Sequence, residues 1–182
     1  MLQVMDNSLK WWRLPAIGRE KGRLVRRLIE RHRSKRAIEI GSLFGYSAIL
    51  IGGSLPPGGR LTCIEANDYL AKFVKANTAE AGLGKRVKVV VGEALRVVPL
   101  LPGRFDFVFI DAVKEDYFDY LRQLEPKLRV GSVIIADNTG VFRRDVQPYL
   151  DYVRSGSGRY TSREYDFGDD TMEVSLVSAG HP

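Results

Sequence analysis

Asp111, Asp137 and Asn138 supply three hard oxygen donors, each at the end of a hydrophobic run that reads as a buried strand. Such a set suits an octahedral Mg2+ that keeps waters or substrate oxygens in its other positions. Taken singly, each reads equally well as a helix cap or turn former; it is the set that points to a site. Lys114 follows Asp111 by three residues. An amine beside a divalent cation gives up its proton more readily and can then serve as a general base. Neither histidine is well placed for that task, His32 lying on a basic helix and His181 in the tail. Upstream, Glu39-Ile40-Gly41-Ser42-Leu43-Phe44-Gly45-Tyr46-Ser47 joins a short strand to a helix through small residues. Glycine in such a turn lets backbone approach a ligand with no Cβ between them. The spacing is glycine, three residues, glycine, which misses the Gly-x-Gly-x-x-Gly dinucleotide fingerprint. A nucleoside ligand without a pyrophosphate fits better. Glu65, 24 residues after Gly41, is an acid of the kind that accepts hydrogen bonds from ribose hydroxyls.

Strands and helices alternate along the chain to carry these residues. The pattern predicts strands at 37–40, 60–66, 87–92, 105–111 and 130–137, which end in Gly41, Glu65, Gly92-Glu93-Ala94, Asp111 and Asp137-Asn138. Between them it predicts a helix over 47–55 and another capped by Asn67 or Asp68, with Leu70, Phe73, Val74 and Ala81 on its packed face. Gly82 and Gly84 end that helix. A third helix spans 117–128, kinked or restarted at Pro126, and a fourth spans about 145–153. Residues 160–165 and 172–178 form a closing antiparallel hairpin after the turn Ser155-Gly156-Ser157-Gly158. The fold class is therefore α/β: a Rossmann-like, doubly wound, mostly parallel sheet of seven strands. In such sheets ligands sit beyond the carboxyl ends of the strands, where the acids and glycines above lie.

The 182 residues are expected to form one domain, 1–182. No apolar run reaches the roughly 18 residues of a membrane span, and the first ten residues lack the pattern of a secretion signal. The single cysteine, Cys63, suits a reducing cytoplasm. Charge is uneven: residues 1–36 hold eleven Lys or Arg against Asp6, Glu20 and Glu30, a net of +8 within a total of +6. Leu24, Val25, Leu28 and Ile29 recur there at helical spacing, with Arg19, Arg23, Arg26, Arg27, Arg31 and Arg33 among them. That basic segment is either a solvated helix face or a footprint for an anionic partner such as RNA. Trp11, Trp12 and Leu14 form an apolar cluster beside it, which is expected to be covered in a homodimer.

Three motifs in order, Ile38-Glu39-Ile40-Gly41 with Gly45-Tyr46-Ser47, Phe107-Val108-Phe109-Ile110-Asp111-Ala112-Val113-Lys114, and Ile134-Ile135-Ala136-Asp137-Asn138, resemble the cation-dependent O-methyltransferases. This is the family of catechol and caffeoyl-CoA O-methyltransferases and of bacterial tRNA 5-hydroxyuridine methyltransferases. The similarity runs from about Leu14 to Asn138, with a weaker echo at Phe167-Gly168-Asp169. It implies a class I methyltransferase fold that binds S-adenosyl-L-methionine and Mg2+. By that resemblance Asp111, Asp137 and Asn138 match the metal ligands and Lys114 the catalytic lysine. Glu65 matches the ribose acid, Glu39, Gly41, Tyr46 and Ser47 the cofactor turn, and Gly92, Glu93 and Ala94 the adenine-side loop. Ile17 falls where the family packs a residue over the cofactor, and Asp111 also borders it.

Two regions depart from the family pattern, the short stretch before the matching segment and the insertion from Thr139 to about Arg159. Both shape the acceptor pocket, so the acceptor stays open between a catechol-like small molecule and a hydroxylated nucleoside in tRNA. The usual Gly-Asp of the adenine loop is Gly92-Glu93 here, still acidic. Readings from other classes are a metal-independent methyltransferase acting on nitrogen, and a non-catalytic RNA-binding protein that retains the cofactor fold.

Overall fold

A computed structural model describes residues 16–179. Seven strands form one sheet: β1 (Arg36–Ile40), β2 (Arg60–Glu65), β3 (Val87–Val91), β4 (Phe107–Ile110), β5 (Val133–Ala136), β6 (Tyr160–Asp166) and β7 (Thr171–Val177). Their spatial order is β3-β2-β1-β4-β5-β7-β6. The first five run parallel, while β7 lies antiparallel to β5 and to β6. The helices are α1 (Gly18–His32), α2 (Tyr46–Ser54), α3 (Asp68–Glu80), α4 (Ala94–Val97), α5 (Tyr117–Leu124) and α6 (Gln147–Val153). The expected doubly wound sheet with its closing hairpin is the architecture found.

Side chains alternate along each strand, so one strand feeds two cores. Ala37, Phe107, Phe109, Val133 and Ile135 pack beneath α1, α2 and Val74 of α3. Ile38, Ile40, Val108, Ile110 and Ile134 pack against α5 and α6 on the other face. Strands covered on both sides must be apolar throughout, which is why β4 and β5 read as uninterrupted hydrophobic runs.

The strands end where the site begins. Asp111 and Asp137 lie one residue beyond β4 and β5, yet their amides still join the ladder, at 2.9 Å to Ile40 O and 3.0 Å to Ile110 O. Their side chains are thus held by sheet geometry rather than by a loose loop. β5 starts later than the sequence suggests, because Gly131 turns the chain at φ 84°. α5 stops at Leu124, and Glu125–Lys127 continue as a 3-10 turn around Pro126.

The packed face of α3 keeps Val74 of the expected set but excludes Phe73. Ala71, Val74 and Thr78 are buried, whereas Phe73 is 40% exposed. A Cβ on Gly45 would sit 3.3 Å from Val74, so α3 approaches the turn too closely to leave room for an aromatic ring. Phe73 slides to the rim instead, edge-on to Phe44 and Tyr69. Asn67 is the N-cap, its Oδ1 accepting from the amides of Tyr69 and Leu70.

No helix among the described residues is long and apolar enough to cross a membrane. Trp11, Trp12 and Leu14, on which the homodimer expectation rests, lie outside the described residues, as does His181.

Candidate active site

A cleft crosses the carboxyl ends of β1, β2, β4 and β5 in two connected halves. One, of about 370 Å3, is lined by Ile17, Ser42, Phe44, Tyr46, Ser47, Lys114, Asp137 and Asn138. The other, of about 500 Å3, is lined by Gly41, Glu65, Gly92, Glu93, Ala94 and Tyr120. Leu43 and Asp111 border both. All but one of the catalytic, cofactor-binding and metal-binding candidates read from the sequence therefore line one or the other half.

The exception is Glu39, which is fully buried beneath the turn. Its Oε2 accepts from Ser42 Oγ at 2.5 Å, and Oε1 has no hydrogen-bond partner. Burial pushes this carboxyl up to about 7, with Asp111's charge adding to the rise and the hydroxyls of Ser42 and Ser47 opposing it. Glu39 thus meets the cleft through Ser42, which lines it.

Glu65 holds the turn from its other side. Its Oε2 accepts from the amides of Ser42 at 3.1 Å and Leu43 at 3.0 Å, and its Oε1 from that of Asn67 at 3.0 Å. Three backbone donors occupy a carboxylate that has about four acceptor sites, which leaves room for a further donor at Oε1. Leu43 takes the left-handed conformation at φ 47°, a strained geometry for a branched side chain that Glu65 helps to maintain.

The chemistry-bearing groups converge on Lys114. Its Nζ donates to Asp111 Oδ1 at 2.7 Å, Tyr117 Oη at 2.8 Å and Asn138 Oδ1 at 3.0 Å. Tyr117 donates in turn to the Asp137 carbonyl at 3.1 Å. Burial pushes its phenol well above the usual value, so it stays protonated and keeps that bond.

Two residues that sequence reasoning did not assign complete the arrangement. Lys21 of α1 is buried, its Nζ 2.5 Å from Asp137 Oδ1 and 2.7 Å from Asp170 Oδ2. Asp170 immediately precedes β7 and also accepts from Asn138 Nδ2 at 2.7 Å. Burial opposes the Asp170 anion, but Lys21, Asn138 and the amides of Val141 and Thr171 outweigh it and hold its carboxyl at about 2. Burial and the Asp111 charge raise Asp137 to about 6 even though Lys21 pulls the other way. Lys21 sits three, four and seven residues before Leu24, Val25 and Leu28, so a cation on the apolar stripe was the overlooked signal. For Asp170 the signal lay one residue past the Phe167-Gly168-Asp169 echo.

Among the described residues no three His, Cys, Asp or Glu side chains gather as a metal site by themselves. Asp111, Asp137 and Asn138 make a mixed carboxylate and amide set, and its all-oxygen chemistry fits a hard divalent ion. No described residue donates to Asp111 Oδ2 or Asp137 Oδ2, so each carboxylate keeps an oxygen for such an ion.

A sequence model of the O-methyltransferase family matches residues 4–154. A catechol O-methyltransferase of Niastella koreensis is 35% identical over 143 residues, covering 75% of this chain and 65% of the relative. The catechol O-methyltransferase of Mus musculus is 31% identical across 96% of this chain and 68% of its own length. For the Mycobacterium tuberculosis and Bos taurus catechol O-methyltransferases the chain spans only 56% and 54% of the relative. The solved Bacillus cereus O-methyltransferase in complex with SAH superposes with TM-score 0.84 at 25% identity, over 97% of this chain and 90% of that one. TomG of Streptomyces achromogenes, an O-methyltransferase solved in complex with SAM, gives 0.86 at 28% identity, over 98% and 89%. The chain belongs to the O-methyltransferase family.

Proposed function

We propose that this protein is an S-adenosylmethionine-dependent O-methyltransferase that uses a divalent cation, Mg2+ first, and methylates a hydroxyl of a catechol-like small molecule. The observation that carries this reading is the convergence of Asp111 Oδ1, Asn138 Oδ1 and Tyr117 Oη on Lys114 Nζ in one half of the cleft, with Asp111 bordering the other half as well. The relatives named above support the catechol class, and the neighbours solved with SAH and SAM support the methyl donor.

S-adenosylmethionine, when bound, supplies a methyl group on a sulfonium sulfur, and a divalent ion favours the ionised form of a nearby hydroxyl. The half-cleft of Glu65, Gly92, Glu93 and Ala94 suits the nucleoside, and that of Ile17, Tyr46 and Ser47 suits the amino-acid end. Asp111, Asp137 and Asn138 would hold the cation. Lys114 is placed to take the acceptor's proton, because it hydrogen-bonds Asp111 and Asn138, two of the residues that would hold the cation. Alignment of donor and acceptor is left to the rigid strand ends, which is where much of a displacement barrier is removed. Cys63, buried and free, fits a reducing compartment such as the cytoplasm.

A second reading, a hydroxylated nucleoside within RNA, rests on a separate feature. Arg23, Arg26, Arg27 and Arg31 all project from the exposed face of α1. The test is an acceptor screen with methyl-labelled donor, comparing catechols with bulk unmodified and hydroxylated tRNA. Label in catechol supports the first reading and label in RNA the second. Label in neither, with the donor bound, would contradict both.

A further inference from the structure

An asparagine presents an oxygen on one side of its amide and an NH2 group on the other, and only the oxygen can bind a cation. At Asn138 the two sides face opposite charges. Nδ2 donates to Asp170 Oδ2 at 2.7 Å, and Oδ1 accepts from Lys114 Nζ at 3.0 Å. Reversing the amide would set oxygen against carboxylate and NH2 against ammonium, unfavourable at both ends. The backbone gives no freedom to compensate. Asn138 sits at φ 59°, with its amide bound to Asp137 Oδ1 at 2.7 Å and its carbonyl accepting from Phe142 N at 3.1 Å.

Asp170 is in turn fixed from three directions. Oδ1 accepts from the amides of Gly140 at 3.2 Å and Val141 at 3.0 Å, which closes the loop after Asn138 onto the hairpin. Oδ2 accepts from Lys21 at 2.7 Å as well as from Asn138. Lys21 also reaches Asp137 at 2.5 Å, so α1, the end of β5 and the start of β7 share one buried cation.

We infer that Asp170 is a positioning residue which, tethered by Lys21, sets the Asn138 amide so that its oxygen faces the divalent cation. This rests on the divalent-cation reading proposed above. Groups that orient a ligand from behind typically change metal affinity by about 10- to 100-fold when removed.

The experiment is calorimetric titration of Mn2+ into the purified protein without donor or acceptor, for the wild type, Asp170→Ala, Asn138→Asp and the double variant. Asp170→Ala should weaken Mn2+ binding by about 10- to 100-fold in the wild-type background. In the Asn138→Asp background both side-chain oxygens accept, so orientation no longer matters; the oxygen that replaces Nδ2 then faces the Asp170 carboxylate, and adding Asp170→Ala, which relieves that repulsion, should leave affinity unchanged or raise it. Asp170→Asn, which keeps an acceptor for Asn138 Nδ2, should retain more affinity than Asp170→Ala and replaces it in the cycle if the alanine variant does not fold. Unchanged binding by Asp170→Ala would overturn the inference. So would an equal loss in both backgrounds, which would mark a general effect of lost charge or stability. If the wild type binds no Mn2+, the divalent-cation reading falls, and this inference with it.

Discussion

Gly41 lies directly against the backbone of Asp111: a Cβ on Gly41 would stand 2.1 Å from the Asp111 carbonyl oxygen. The glycine that looked like room for a ligand is first of all room for a neighbouring strand end. It also takes φ 84°, so a side chain is opposed twice. Gly41→Ala should therefore destabilise the fold by about 3 kcal/mol or more, because the clash is with backbone that cannot rotate away. Urea unfolding measures this, and a loss below about 1 kcal/mol would show that the strand ends can separate.

Lys21 neutralises two buried carboxylates at once. Lys21→Met keeps an apolar stem at this buried position but leaves Asp137 and Asp170 without their shared cation. Removing one partner of a buried ion pair costs about 3–5 kcal/mol. The loss should be seen in unfolding at neutral pH; a variant as stable as the parent would mean that the carboxylates are satisfied by water.

Glu39 links stability to pH in the direction opposite to a paired surface acid. Its folded-state carboxyl is raised from 4.5 to about 7, so the folded state holds the proton more tightly than the unfolded chain. Stability from this group is fully present below 4.5 and declines as pH rises to about 7, by about 3 kcal/mol in all. Glu39→Gln, neutral at every pH, should flatten that decline, and the gap over the parent should widen from pH 5 to pH 8. Parallel stability curves for the two proteins across that range would contradict the assignment.

How much of this was legible beforehand depended on how local the signal was. The strands of the parallel sheet were readable because both faces are covered, so the hydrophobic runs are continuous. Asp111, Asp137, Asn138 and Lys114 were readable because strand ends place them in sequence order. Lys21 and Asp170 were not, because their roles arise only when α1 and the closing hairpin fold over the end of β5. The packed face of α3 was misread for a related reason. Helical spacing alone permits Phe73 inside, and only the close approach at Gly45 and Val74 excludes it. Glu65 was legible as an acid at a strand end, but its three backbone bonds, to Ser42, Leu43 and Asn67, depend on loop geometry that no spacing encodes.

The arginines of α1 allow a direct test of the RNA reading. Arg23 and Arg27 are exposed and lie away from the cleft. If they contact phosphates, tRNA affinity should fall steeply as salt rises, and reversing both charges should weaken it further while leaving catechol methylation unchanged. Absence of measurable tRNA binding at low salt would assign them to a solvated face.

The most direct single measurement is the initial rate of methyl transfer to catechol at saturating S-adenosylmethionine, with Mg2+ and then with EDTA in its place. The expected result is a loss of at least about 100-fold in EDTA, the scale on which activating a hydroxyl matters, restored when Mg2+ is returned. A rate in EDTA equal to that in Mg2+ would contradict the divalent site at Asp111, Asp137 and Asn138.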